Sequence, residues 1–169
     1  MGDLAEWVDA DDFNKGLRFA GRVAEEFKLR SGTWVAGSRL RGRLLDLCSP
    51  LVREVVICGL NREYVSALVW LNDEACEQMS EDYNPSKPWQ SKLVSSFIED
   101  KVLPYNRRNP GSSTCIKRIR FMVEPPSISM GEVSDKGSVI SQRILETRGE
   151  AVNSMYAEAT PDILVLTRN

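Results

Sequence analysis

Apolar and polar side chains alternate along this chain with two different periods, and the changes between them fall at glycine, proline and asparagine positions. Two short extended stretches in the first 20 residues flank a polar turn at residues 11–16, which predicts a β-hairpin. From residue 21 to residue 35 apolar and charged side chains alternate until the sequence breaks at Ser31-Gly32. We therefore expect a strand followed by a tight loop.

Helical spacing begins after this loop. Ser38 is placed to cap a helix that Ser49-Pro50 would stop. Four leucines would share one face of this helix: Leu40, Leu44, Leu45 and Leu47. Two runs rich in Val and Ile, residues 52–60 and 64–71, then predict a pair of strands around a short turn, after which Asn72 or Asp73 would open a short polar helix.

The second half of the chain continues the alternation of helices and strands. Pro88 suits the first turn of a longer helix that Pro104 would end. The packing side of this helix would carry Trp89, Leu93, Phe97 and Ile98. Residues 116–123 predict a further strand, a last helix is expected from about Ser141, and residues 163–166 form a short apolar run. That last helix would carry Ile144, Leu145, Val152, Met155 and Tyr156 at helical spacing. The element order predicts an α+β fold, a small sheet with packed helices preceded by a short β-hairpin.

Composition narrows the class of protein. The chain has 169 residues, 22 Lys and Arg against 24 Asp and Glu, and 42% hydrophobic residues, which is typical of a globular domain with its own core. A net charge of −2 argues against a general nucleic-acid or anionic-membrane binder. Because the chain has no His, Ser-His-Asp catalysis and imidazole metal ligands are excluded.

The cysteine pattern and the N-terminal residues indicate the cellular compartment of the protein. The four cysteines form no C-x-x-C pair, so no zinc or thioredoxin-like motif is present, and no metal site is predicted. The acidic first residues lack the features of a secretory signal, and no apolar stretch approaches the roughly 20 residues that span a bilayer. We expect a reduced, soluble, cytoplasmic protein.

Two glycine-containing loops are candidates for chemistry. In residues 131–137, GEVSDKG, two glycines allow close approach of the backbone to a ligand, and Lys136 could place an ammonium on a phosphate or carboxylate. Asp-Lys-Gly is also a common surface turn. In residues 30–34, RSGTW, exposed backbone N–H groups and an aromatic wall could bind a ligand, although the commoner interpretation is a strand end with a buried Trp34.

A group of basic residues lies near the predicted strand at residues 116–123. Its members are Arg107, Arg108, Lys117, Arg118 and Arg120. No nucleic-acid-binding signature accompanies them, so we interpret them as a solvated strand face.

Four pieces of the sequence form an ordered set: Gly2-Asp3-Leu4-Ala5, Gly21-Arg22, Lys28-Leu29 with Gly32, and the glycine-flanked Lys136. Together they resemble the end of adenylate-forming enzymes, the acyl- and aryl-CoA ligases. The family pattern is Y-x-T-G-D, G-R, K-I/L-x-x-G and a late lysine loop. The stretches FKLRSGTWV, NRRNPGSST and EPPSISMGEVSDKGSVISQR look most like feruloyl-CoA synthetases. The resemblance covers nearly the whole chain and implies a mobile C-terminal domain of such an enzyme.

The resemblance implies roles for individual residues. Lys136 would be catalytic, bridging the substrate carboxylate and the α-phosphate during adenylation, where a positioned cation both orients and stabilises. Asp3 would bind the ATP ribose, and Arg22 would support the same group or the hinge. Ala24 falls near the hinge, where family members more often carry Asp or Lys. The loop that would line the coenzyme A tunnel comprises Arg30, Ser31, Gly32, Thr33 and Trp34.

The resemblance also implies two parts and several partners. Residues 1–23 would be the end of a large-domain or hinge region, and residues 24–169 a C-terminal lid domain. The large domain, with its phosphate loop and acid pocket, is absent from this sequence, so the chain alone is expected to be inactive and to bind no cofactor tightly. ATP, Mg²⁺, coenzyme A, a carboxylic acid and a large adenylation domain in cis or trans belong to the complete enzyme.

Two functions remain open at this stage. The chain is either the lid of an ATP-dependent acid–CoA ligase or a non-catalytic interaction module that binds a partner through the former inter-domain face. A truncated product, a mis-assigned start, half of a split enzyme and a repurposed domain all fit its beginning at Met1-Gly2-Asp3.

Overall fold

The structure is a computed structural model, and it describes residues 3–7, 12–22, 25–157 and 160–166. An antiparallel hairpin begins it, formed by β1 (Asp3–Trp7) and β2 (Leu17–Arg22), with a 3-10 turn at Phe13–Lys15 between them. A second antiparallel pair follows, β3 (Glu26–Lys28) and β4 (Trp34–Ala36). Both the predicted hairpin and the predicted strand with its tight loop are confirmed, and the loop leads into a second short strand.

A mixed four-stranded sheet forms the centre of the fold. Its strands are β5 (Val52–Cys58), β6 (Val65–Leu71), β7 (Ile116–Met122) and β8 (Ile163–Val165), in the spatial order β5-β6-β7-β8. The pair β6–β7 is parallel, and the other two pairs are antiparallel. All seven residues of β6 are buried because helices cover both faces of the sheet there.

Five α-helices are found among the described residues. They are α1 (Gly37–Cys48), α2 (Asp73–Met79), α3 (Lys92–Arg108), α4 (Ser141–Thr147) and α5 (Gly149–Ser154). On one face of the sheet, α1 and α3 bury Leu44 and Ile98 against strand residues such as Val55. On the other face, Ile144 and Met155 pack against Val56, Leu68 and Trp70. The predicted α+β fold is confirmed.

The first helix begins differently from the prediction. Its N-cap is Ala36, which makes no capping side-chain bond, and Ser38 lies within the first turn. The Ser38 hydroxyl donates instead to Glu25 Oε2 at 2.7 Å, so a tertiary contact replaces the expected cap. The short helix α2 follows the prediction, because the Asn72 side chain caps it by accepting from the Ala75 amide.

The long helix α3 differs from the prediction in three ways. It begins at Lys92, whereas Pro88 and Trp89 lie in a separate 3-10 turn, Pro88–Gln90. Pro104 does not end it, since the helix continues to Arg108. After the proline, Asn106 is anchored to β7 by two hydrogen bonds with the Ile116 backbone, at 2.7 and 3.0 Å, which offset the helical bond that proline removes. Leu93 is exposed, because the buried stripe of the helix comprises Val94, Ile98, Val102 and Asn106.

The last predicted helix is two helices. Arg148 separates the two helices, and its side chain points inward and donates to Glu132. The basic group near β7 is solvated only in part. Arg107 and Arg108 are exposed, as predicted. By contrast, Arg118 donates to the carbonyls of Met155 and Ala157, and Arg120 forms an ion pair with Asp162 at 2.8 Å. Arg118 and Arg120 bind the C-terminal segment to β7, and they satisfy carbonyls that would otherwise need water.

The cysteines are free and buried. Burial raises the pKa of the Cys48 and Cys58 thiols to about 12 and of the Cys76 thiol to about 11. These thiols are therefore core side chains with low reactivity. Within the described residues, no helix has the length and apolar character needed to cross a membrane.

Candidate functional site

The loop that carries Lys136 is a closed turn. Residues 133–139, which we name the lysine turn, begin and end with a β-bridge between Val133 and Val139. Inside it, the Ser134 amide donates to the Ser138 carbonyl at 2.9 Å, and the Gly137 amide donates to the Ser134 carbonyl at 2.8 Å. The two serine hydroxyls also bond each other at 2.7 Å. These bonds order a loop with no apolar anchor at its tip.

Lys136 lies at the tip of the lysine turn and is exposed. No hydrogen bond or ion pair engages its ammonium among the described residues, so the cation is available to an external anion. The next residue, Gly137, has a φ of 77°, which an L side chain adopts only with strain. The sequence DKG thus places the lysine side chain on a sharp bend rather than along a strand.

The second candidate loop joins β3 to β4. Residues 29–34, which we name the Trp34 loop, are fixed at their base by a bond of 3.0 Å from the Leu29 amide to the Thr33 carbonyl. Backbone bonds also tie the loop to the β5–β6 turn, from the Arg30 amide to the Arg62 carbonyl and from the Asn61 amide to the Lys28 carbonyl. The interpretation of Trp34 as a buried strand end is wrong, since 61% of this residue is exposed.

Alternation explains the exposure of Trp34. Leu29 and Val35 point inward and are 2% and 1% exposed, so the neighbouring Trp34 points outward. Its ring lies under the Lys28 ammonium at 4.8 Å, and a cavity of about 590 Å³ lies beside it, also bordered by Phe27 and Leu60. An aromatic wall with a nearby cation suits a ligand that is apolar along its length and carries phosphate.

The structure brings some predicted residues together and separates others. Asp3 and Arg22 are register partners across the first hairpin. Ala24 lies outside the described residues. The cavity beside Trp34 and a second cavity of about 440 Å³, bordered by Gly137, share no lining residue. The lysine turn and the Trp34 loop therefore do not form one pocket.

Two features were missed by sequence reasoning. Glu132 is fully buried below the lysine turn and pairs with Arg148 at 2.8 Å. Glu25 accepts from Ser38 in α1 and from Ser141 in α4. A glutamate between glycine and valine and a glutamate beside a second glutamate carry no sequence signal for these roles, because their partners lie 16, 13 and 116 positions away.

The residues fit some of the groups implied by the resemblance. Lys136 and the Trp34 loop have the cation and the aromatic surface that a phosphate-bearing substrate requires. Across residues 3–7, 12–22, 25–157 and 160–166, no group of three or more His, Cys, Asp or Glu side chains could hold a metal ion. We therefore assign no residue of this chain to Mg²⁺.

Comparison with solved structures shows what the fold is similar to. The adenylation domain of a carboxylic acid reductase from Segniliparus rugosus, in complex with AMP and a co-purified carboxylic acid, matches with a TM-score of 0.65 and 24% identity over 92% of this chain and 23% of that chain. The corresponding domain from Mycobacterium chelonae matches with a TM-score of 0.66 and 24% identity over 93% of this chain and 23% of that chain. Coronafacic acid ligase from Pectobacterium brasiliense gives a TM-score of 0.50 and 16% identity over 98% of this chain and 25% of that chain. This chain therefore spans about a quarter of the length of these solved structures.

Sequence comparison decides the family. None of the curated proteins compared with the sequence matches it. A family model, described as the AMP-binding enzyme C-terminal domain, matches residues 28–160, which include the Trp34 loop, the whole central sheet apart from β8, and the lysine turn. The chain belongs to the family of AMP-binding enzyme C-terminal domains.

Proposed function

We propose that this chain is the lid portion of an ATP-dependent carboxylic acid–CoA ligase related to feruloyl-CoA synthetases. Such an enzyme joins an acid to the AMP moiety of ATP with release of pyrophosphate, and then transfers the acyl group to the thiol of coenzyme A with release of AMP. The chain would act with a large adenylation domain, in cis or in trans, and be inactive without it. The observation that carries the proposal is the exposed Lys136 ammonium, without a partner among the described residues, on the closed lysine turn.

Lys136 is the proposed catalytic residue for adenylation. The carboxylate and the triphosphate are both anions, so their approach is opposed until a cation lies between them. An ammonium on an ordered turn supplies that charge with little reorganisation, and it can contact the carboxylate and the α-phosphate together. ATP supplies the activating phosphoryl chemistry, and the chain's part is to orient and to neutralise.

The other predicted residues are assigned either to adenylation or to the transfer of the acyl group to coenzyme A. Asp3 and Arg22, paired across the first hairpin, would hold the ribose of ATP. The Trp34 loop would line the path of coenzyme A, with the exposed indole against its pantetheine arm. The proposed substrate is an aromatic or other carboxylic acid, and the aromatic class is in keeping with the feruloyl-CoA synthetase likeness of three sequence stretches.

The test joins the chain to a large adenylation domain and measures acid-dependent pyrophosphate exchange. Lys136→Ala is expected to lower adenylation by roughly 10²–10³-fold, as removal of a transition-state cation does. Lys92→Ala, at an exposed lysine of α3, is the matched control and should leave the rate unchanged. Adenylation that survives Lys136→Ala undiminished would refute the catalytic role.

A specific observation favours the second candidate, a non-catalytic interaction module. Trp34 and Leu60 are 61% and 59% exposed beside one cavity, and Ile128 is 80% exposed beside the other, so apolar surface is available to a partner. Sedimentation of the chain with a separate large domain distinguishes the candidates. Stable assembly without adenylation supports the module, and assembly that restores Lys136-dependent adenylation supports the ligase.

A further inference from the structure

A buried ion pair lies directly below the lysine turn. The Glu132 side chain is 0% exposed and the Arg148 side chain 11%. Arg148 approaches the carboxylate with two nitrogens, Nη2 to Oε2 at 2.8 Å and Nε to Oε1 at 2.9 Å. This fork geometry fixes direction as well as distance, which a lysine in the same place would not do.

The carboxylate has two further donors. The Thr147 hydroxyl donates to Oε1 at 2.5 Å, and the Ser127 amide donates to Oε2 at 2.7 Å. These bonds, with that of Arg148 the strongest, lower the pKa of Glu132 from 4.5 to about 2 against the opposing effect of burial. The group is therefore a charged, fully bonded buried carboxylate.

Arg148 holds both ends of one segment. Besides Glu132, it donates to the carbonyls of Glu124 and Pro125, both at 2.8 Å, and its guanidinium lies 5.4 Å from the Trp70 ring. Residues 124–132 thus form a loop closed by one side chain that originates at the end of α4. Little apolar packing holds the middle of this loop, where Ile128 is 80% exposed.

The backbone of Glu132 is also the base of the lysine turn. Its amide donates to the Ser127 carbonyl at 2.9 Å, and its carbonyl accepts from the Ile140 amide at 2.8 Å. The β-bridge from Val133 to Val139 begins one residue later. Any change in the direction of residue 132 is therefore transmitted to Lys136 through a short, hydrogen-bonded hairpin.

We propose that Glu132 and Arg148 act as a positioning pair that fixes the direction in which Lys136 points; this proposal rests on the proposed function of Lys136. A buried ion pair is often no more stabilising than apolar side chains of the same volume, so its presence is better explained by the geometry it imposes. Neither residue contacts the substrate in this proposal.

The first test measures amide hydrogen exchange in the full chain. In Glu132→Gln, protection of the Ser134, Gly137 and Ile140 amides is expected to fall by about tenfold or more, while protection in β5 and β6 is kept. Asp162→Asn is the matched control, because Asp162 also forms a partly buried arginine ion pair, with Arg120. It should leave the lysine turn unchanged. Equal loss of protection throughout the Glu132→Gln chain would overturn the proposal.

The second test is a double-mutant cycle in the chain joined to a large domain. Glu132→Gln is expected to lower the adenylation kcat by about tenfold, with the KM for ATP within about twofold, and to add nothing in a Lys136→Ala background. If Glu132 had only a structural role, Glu132→Gln would lower the adenylation kcat by the same factor in the wild-type and Lys136→Ala backgrounds. If Glu132→Gln fails to fold, Thr147→Val removes one donor to the same carboxylate and should show a smaller change of the same kind.

The outcomes separate this proposal from the function on which it rests. If Lys136→Ala leaves adenylation unchanged, the function fails, whereas the exchange experiment still reports whether the pair orders the turn. If Lys136→Ala abolishes adenylation and Glu132→Gln leaves it unchanged, the positioning proposal alone is refuted.

Discussion

The lysine turn and the Trp34 loop each contain a glycine and expose a side chain for which a function is proposed, but different interactions hold them. Below the lysine turn lies the buried pair of Glu132 and Arg148, whose contacts are hydrogen bonds and charges. The Trp34 loop is held by apolar packing, because Leu29 at its start and Val35 just after its end are part of the main apolar cluster. Backbone bonds to the β5–β6 turn complete the support of the second loop.

This difference teaches how each loop should respond to change. The free energy gained by burying apolar area does not depend on pH or on single charges. The Trp34 loop should therefore move only when the core is altered. A hydrogen-bonded carboxylate loses its partners when it is protonated, so the lysine turn should depend on pH and on one side chain.

The largest expected effect is on the apolar support. Leu29→Ala removes a side chain that is 2% exposed and should lower the free energy of unfolding by about 3 kcal/mol, through lost burial and a residual cavity. Urea denaturation measures it, with Leu60→Ala, at an exposed position, as the control expected to change stability by less than about 0.5 kcal/mol. A loss below about 1 kcal/mol for Leu29→Ala would contradict the packing role.

The next effect is the pH dependence of the lysine turn. Since the pKa of Glu132 falls on folding from 4.5 to about 2, its stabilisation is complete above the higher value and is lost as the pH falls toward the lower one. The free energy of unfolding of the wild type should exceed that of Glu132→Gln by on the order of 2 kcal/mol at pH 7. This difference should shrink between pH 4.5 and pH 2. Denaturation curves at several pH values measure it. A gap that stays constant with pH would show that the charge of Glu132 is not responsible.

A smaller effect tests the bend beside Lys136. In Gly137→Ala, no atom lies within 4 Å of the added Cβ, so the cost is that of the backbone at φ 77° alone, about 1 kcal/mol. Gly42→Ala in α1 also meets no atom within 4 Å and should stabilise by about 0.5–1 kcal/mol, because alanine favours the helix. Thermal unfolding of both variants compares them. The same sign of change in both would refute the conformational explanation.

The smallest expected effect concerns an ion pair of the Trp34 loop. Arg30 approaches Glu63 at 3.1 Å, but both side chains are largely exposed, at 70% and 73%. Arg30→Ala should therefore change the free energy of unfolding by less than about 0.5 kcal/mol, at low or high salt. Stability measured at two ionic strengths tests it. A larger, salt-dependent loss would mean that charge, not packing, supports this loop.

The sequence predicted elements well where local pattern and tertiary packing agree. The strands at residues 52–60 and 64–71 were found because both alternate or run apolar between clear turn signals. The errors occur where a contact between residues far apart in the sequence determines where a helix ends. Asn106 anchors α3 beyond Pro104, and Arg148 divides the last helix by turning toward Glu132, and neither contact has a local signature.

The candidate site also has features that the local sequence predicts and features that depend on contacts between distant residues. Lys136 and the residues of the Trp34 loop are predicted from their glycines and from the resemblance, which depend on the sequence of each loop alone, and their roles stay predictions. The support of the lysine turn was missed, because a glutamate and an arginine 16 positions apart reveal nothing about burial until the sheet brings them together. Exposure of Trp34 was also missed, since a strand of three residues is too short for its alternation to be recognised.

The C-terminal segment that Arg118 and Arg120 bind has a consequence for the edges of the sheet. The short strand β8 covers β7 over three residue pairs, so β7 does not offer a long row of free amides and carbonyls to another chain. At the opposite edge, β5 carries a register shift between Val52 and Glu54. Charged residues at that shift oppose pairing with a strand of a second molecule. The sheet is thus protected at both sides from growing by strand addition, although its central strands are among the most apolar parts of the chain.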